Sequence, residues 1–115
     1  MHTLAIYICT KSKCTARRAH VKLWAADQEA QSYNGPGLLA ALRTVVAEKH
    51  LARSVAVHEA ACMSGCPVGP RLDISCGPKR VMYFQRTAPT GREDLITWSC
   101  VDSIENMIEK HLTTC

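Results

Sequence analysis

Two pairs of cysteines are the residues best able to do chemistry in this chain. Four residues separate Cys9 from Cys14, and three separate Cys62 from Cys66. Each pair follows a β-forming stretch, Leu4 to Ile8 before the first and Ser54 to His58 before the second. Soft thiolates in a four-sulfur set select iron–sulfur clusters or zinc. Structural zinc sites mostly use pairs with two intervening residues, where one tight turn aims both sulfurs at a single ion. The wider spacing here suits a larger object, two irons bridged by sulfides, and so favours iron. Zinc at the same four cysteines, in a non-redox structural or regulatory role, is the alternative. Cysteine is also a small hydrophobe that is often simply buried, but two pairs that each follow a strand are poorly explained by packing.

The other cysteines have plainer roles. Seven cysteines in 115 residues is an odd number, which a complete set of internal disulfides cannot use. No two are spaced as the C-x-x-C dithiol of thiol oxidoreductases. Cys76 reads as a turn residue with a minor prospect of ligand exchange, Cys100 as a buried neighbour of a helix cap, and Cys115 as a free terminal thiol. The opening run, Leu4 to Ile8, has no basic segment before it and is far shorter than the ~20 residues that span a bilayer. The expectation is a cytoplasmic chain whose cysteines bind metal in a reducing compartment.

These loops must be held by a scaffold. Leu4 to Ile8 reads as a buried strand. Asn34-Gly35-Pro36-Gly37 is the strongest breaker, and after it Leu38, Leu39, Leu42, Val45 and Val46 fall on one helical face. An amphipathic helix is expected from about Leu38 to His50. Val55 and Val57 should face inward on a second strand. The segment from Ala60 to Pro70 contains two glycines and two prolines and reads as a rigid loop whose glycines let backbone approach the sulfurs. Arg71 to Ser75 and Val81 to Gln85 read as a hairpin with its turn at Cys76 to Arg80. Thr87 to Glu93 reads as a surface loop. Asp102 and Glu105 form a candidate capping box before a last helix carrying Val101, Ile104, Ile108 and Leu112. Between Thr15 and Tyr33 the periodicity is poor, with room for a short helix. If the first two strands are parallel neighbours, as a crossover helix between them implies, both cysteine loops leave the same sheet edge.

This layout resembles the thioredoxin-like 2Fe–2S ferredoxins, which include the small cluster-bearing subunit of bacterial NADH:quinone oxidoreductase. The resemblance rests on Ile8-Cys9-Thr10-Lys11-Ser12-Lys13-Cys14, the Gly-Pro-Gly-Leu-Leu helix start and Cys62-Met63-Ser64-Gly65-Cys66. The Gly69-Pro70 pair, the hairpin ending in Tyr83 and the final helix also match, so that nearly the whole chain is covered. It implies one α/β domain over residues 1–115, with a mixed four- to five-stranded sheet and two main helices packed on it. It also implies a 2Fe–2S cluster on Cys9, Cys14, Cys62 and Cys66, a one-electron carrier that is not an enzyme, a redox partner protein and often a homodimer. Some small relatives are associated with cobalamin biosynthesis, which would make this chain a supporting electron donor there. The stretch from Thr15 to Tyr33 is longer than the family pattern and reads as an insertion.

Other features carry less. The formal charge is +4, and a cluster bearing about −2 would leave the chain only mildly basic, with no case for nucleic acid or a membrane. The basic run Lys11, Lys13, Arg17, Arg18 and Lys22 is a solvated loop or part of a docking face beside the cysteines. His20, His50, His58 and His111 read as solvated or satisfied, and Trp24 and Trp98 as packing residues. No phosphate loop or Ser-His-Asp set is visible.

Overall fold

A computed structural model describes residues 3–10, 18–26, 28–60, 70–84, 95–98 and 101–114. Among these residues seven strands and two helices are formed: β1 (Leu4–Cys9), β2 (Ala19–Val21), β3 (Gln31–Tyr33), α1 (Gly35–Glu48), β4 (Val55–Ala60), β5 (Leu72–Cys76), β6 (Lys79–Phe84), β7 (Leu95–Thr97) and α2 (Ile104–Thr114). The main sheet is five-stranded and mixed, in the order β4-β1-β5-β6-β7. β1 and β4 pair in parallel, β5 runs antiparallel to both β1 and β6, and β7 lies parallel to β6. The described residues therefore form an α/β fold with a mixed sheet and two helices, as the resemblance implies.

Alternation along the strands assigns the two sheet faces. Leu4, Ile6 and Ile8 of β1 share a face with Val55, Leu72, Ile74 and Tyr83, and all are buried. Leu38, Leu42 and Val45 of α1 and Ile104, Met107 and Ile108 of α2 join them in one core. The opposite face carries Tyr7, His58, Asp73 and Arg80, with the rings of Tyr7 and His58 stacked 5.0 Å apart. A sheet covered on one side needs apolar residues on that side only, which these strands supply.

Helix α1 matches its expected apolar stripe and begins three residues early, at Gly35. Asn34 is its cap: the Gly37 N–H donates to Asn34 Oδ1 at 2.8 Å, and Pro36 fits the first turn, where its missing N–H costs nothing. For α2 the cap lies one residue later than expected. Asn106 N–H donates to Ser103 Oγ at 3.0 Å, while Asp102 accepts from the Asn106 side chain. Glu105 does not close a capping box; it accepts from the Ala25 N–H and pairs with Lys49 at 2.8 Å.

Three further differences stand out. The insertion carries no helix among its described residues. It forms the β2–β3 ribbon, in whose continuation the Lys22 and Leu23 carbonyls accept from the Ile104 and Glu105 N–H groups at the start of α2. The hairpin turn is tighter than expected, with Cys76 and Lys79 paired and only Gly77-Pro78 between the strands. Gly77 has φ +59°, as the first position of a mirror-image hairpin turn requires, and the fixed φ of proline suits the second position of type II′. Cys76 is thus a strand residue, and it is disulfide-bonded. The loop expected at Thr87 to Glu93 lies outside the described residues. No described helix is long and apolar enough to cross a membrane.

Candidate functional site

The parallel pairing of β1 and β4 fixes where the cysteine segments begin. Cys9 is the last residue of β1 and stands level with Ala60, the last residue of β4. On its other side the Cys9 N–H donates to the Arg71 carbonyl at 3.3 Å, one rung beyond the Ile8–Leu72 pair. The chain entering β5 therefore starts at the same edge. Cys9 is buried, and Cys14, Cys62 and Cys66 lie outside the described residues. Among the described residues no group of three or more His, Cys, Asp or Glu side chains could hold a metal.

Chain connectivity tests whether the four sulfurs can share one centre. Cys62 is two residues beyond Ala60, Cys66 five before Arg71, and Cys14 five beyond Cys9. At no more than ~3.6 Å per residue, these segments reach about 7, 18 and 18 Å from one sheet edge. A tetrathiolate cluster is only a few ångströms across, so the donor set fits a single centre by both chemistry and reach.

Several described residues brace this edge. Thr10 Oγ1 donates to Glu59 Oε1 at 2.7 Å, tying the residue after Cys9 to the end of β4. The Trp98 Nε1–H donates to the Pro70 carbonyl at 2.9 Å, fixing the chain where it re-enters β5. Trp98 is itself buried and packs against Tyr83, with ring centroids 5.5 Å apart. Helix α1 starts against Cys9 so closely that a Cβ on Gly35 would lie 2.2 Å from the Cys9 carbonyl oxygen. That contact demands glycine and sets the N-terminal end of α1 against the Cys9 backbone.

Arg71 adds a full positive charge. It stands opposite Cys9 on the face shared with Tyr7, and its guanidinium grips Asp73 through Nε at 2.8 Å and Nη2 at 3.0 Å. Asp73 is buried and also accepts from Arg80, so two cations share one carboxylate. Arg71, Thr10, Glu59 and the Trp98 indole do not stand out in the sequence, because their relation to Cys9 depends on strand register. Gly35 was visible as part of a breaker.

The expected bystanders behave as such among the described residues. His20 lies exposed on the ribbon 3.3 Å from Ser32 Oγ, His58 stacks on Tyr7, and His111 Nε2 sits 2.6 Å from the Tyr83 hydroxyl. Arg18 donates to the Ser32 carbonyl at 3.3 Å, which places it on the ribbon, while Lys11, Lys13 and Arg17 lie outside the described residues. No protein-family model matches the chain, and no curated protein or solved structure matches it either.

Proposed function

We propose that this chain is a thioredoxin-like ferredoxin, a one-electron carrier holding a 2Fe–2S cluster on Cys9, Cys14, Cys62 and Cys66. The observation that carries this reading is the level pairing of Cys9 with Ala60, with Arg71 on the other side of Cys9. Three segments that bear or flank the four cysteines leave one sheet edge. The thioredoxin-like assignment is supported by the order of elements: a β-α-β unit, then a hairpin, then a helix, with strands in the order β4-β1-β5-β6.

When bound, the cluster supplies a site that accepts and returns one electron. The residues around it set how readily that happens. The Arg71 guanidinium offsets negative charge at Cys9, which favours the more negative, reduced state. Glu59, held to Thr10, acts in the opposite sense. No general acid, base or nucleophile is required, and the chemistry belongs to a partner protein that delivers or takes the electron. A cytoplasmic setting and a homodimer accompany this reading.

Metal, sulfide and absorption analysis of anaerobically purified protein tests it. Two irons and two sulfides per chain, with a brown colour bleached by dithionite, are expected. Colourless protein that carries zinc and resists cluster reconstitution would instead establish the structural zinc alternative.

A further inference from the structure

At the end of the sheet away from Cys9, α2 and the strands beneath it leave a cleft of about 210 Å³. Its walls include Leu4 of β1, Ile74 of β5, Val81 of β6 and Ile96 of β7. Leu4 and Ile74 are buried, while Val81 and Ile96 are only partly covered. Lys79 and Lys110, both exposed, line the same cleft with the half-buried His111. Among the described residues no Asp or Glu lines it. An apolar cleft whose charged groups are all of one sign has a defined complement.

We propose that this cleft binds a small aromatic monocarboxylate, its ring against Ile74, Val81 and Ile96 and its carboxylate towards Lys79, Lys110 and His111. Size supports a single ring. A cavity of about 150 Å³ with aliphatic walls admits benzene, so a cleft of about 210 Å³ holds one ring and its substituent. A bare inorganic anion would leave the aliphatic walls wet, and a neutral ring would leave the two ammonium groups unanswered. A second carboxylate would have to lie against those same walls, which offer it no donor.

His111 gives the site a directed donor beside the two mobile ammonium groups. The Tyr83 hydroxyl lies 2.6 Å from His111 Nε2, and burial keeps the phenol protonated and the imidazole neutral near pH 7. With the phenol donating to Nε2, the Nδ1–H is left to donate to the carboxylate. The lysines act through charge alone at an exposed rim, where each pair contributes modestly. Leu4 opens β1 and Cys9 ends it, so the cleft and the proposed cluster lie at opposite ends of that strand and stand or fall separately.

The test titrates benzoate into the full chain as purified and follows amide chemical shifts, with benzamide and inorganic phosphate as comparison probes. Saturable shifts at Ile74, Val81, Ile96 and His111 are expected, with a dissociation constant on the order of 1 mM for so small a ligand. Benzamide and phosphate should each bind about fivefold more weakly or worse. The K79Q/K110Q double variant changes only exposed side chains, so it should fold normally and still weaken benzoate about fivefold. Benzamide binding as tightly as benzoate would overturn the proposal. So would a double variant that binds benzoate unchanged, or benzoate that leaves the four cleft residues unshifted.

Discussion

At the scale of single residues, two positions beside Cys9 carry distinct loads. Arg71 supplies positive charge and Gly35 supplies space. Replacing Arg71 with Gln leaves Asp73 to Arg80 and removes one cation from the edge, so the reduction potential should fall by some tens of millivolts. Protein-film voltammetry reads this directly, and an unchanged potential would remove Arg71 from the account. Gly35→Ala forces a methyl group into the Cys9 carbonyl, 2.2 Å from where it would sit. Backbone cannot yield as a flexible side chain can, so a loss of about 3 kcal/mol is expected in denaturant unfolding, with weaker iron retention. Neither role is readable from residue type alone. An arginine after a proline and a glycine before one are ordinary until strand pairing sets them against Cys9.

At the scale of elements, the helices were largely legible and their ends less so. Leu38, Leu39, Leu42, Val45 and Val46 marked α1 because burial on one face repeats with the helical period. The cap of α2 slipped by one residue because Asp102 and Ser103 are both good capping types, and only the bond from Asn106 N–H to Ser103 Oγ decides between them. Ser103→Ala should therefore cost about 1 kcal/mol by thermal or chemical unfolding, and Asp102→Ala clearly less. The β2–β3 ribbon was missed because its support is tertiary: its carbonyls complete α2, a relation with no local sequence signal. Lys49 bridges the helices through Glu105 and Glu109, which hold its ammonium well above the usual range.

The contact of α2 with the sheet also gives a pH dependence. Burial, with Lys110 adding to it, holds the His111 imidazole below its usual range. The unfolded chain titrates this group near 6.5 and so takes up the proton first as pH falls. Stability should therefore decline below about pH 6.5, and His111→Gln should flatten that slope in melts between pH 5 and 8. Lys79 and Lys110 line the same cleft, and Lys110 adds to the cost of a charged imidazole. Burial raises the Tyr83 phenol from 10.0 to about 12. There the unfolded chain loses its proton first, so stability should also decline as pH rises from about 10 towards 12.

At the scale of the whole molecule, strand pairing gathers Cys9, Ala60, Arg71 and the Trp98–Pro70 bond at one end of the sheet. Parallel pairing of β1 and β4 was the decisive inference from sequence, because a helix between two apolar strands makes a crossover the natural connection. Register was not readable, and register sets Arg71 opposite Cys9. A cluster bridging segments from so many parts of the chain should act as a crosslink. Removing iron should lower the melting temperature by the order of 10 °C.

The most direct test of the central claim is the electron paramagnetic resonance spectrum of dithionite-reduced protein, recorded for the wild type and for each Cys→Ala variant. The account predicts about one S = 1/2 spin per chain in the wild type, as a reduced 2Fe–2S centre gives. That signal should be lost in the Cys9, Cys14, Cys62 and Cys66 variants and kept in those of Cys76, Cys100 and Cys115. A silent wild type after anaerobic reconstitution, or a signal that survives removal of Cys62 and Cys66, would contradict it.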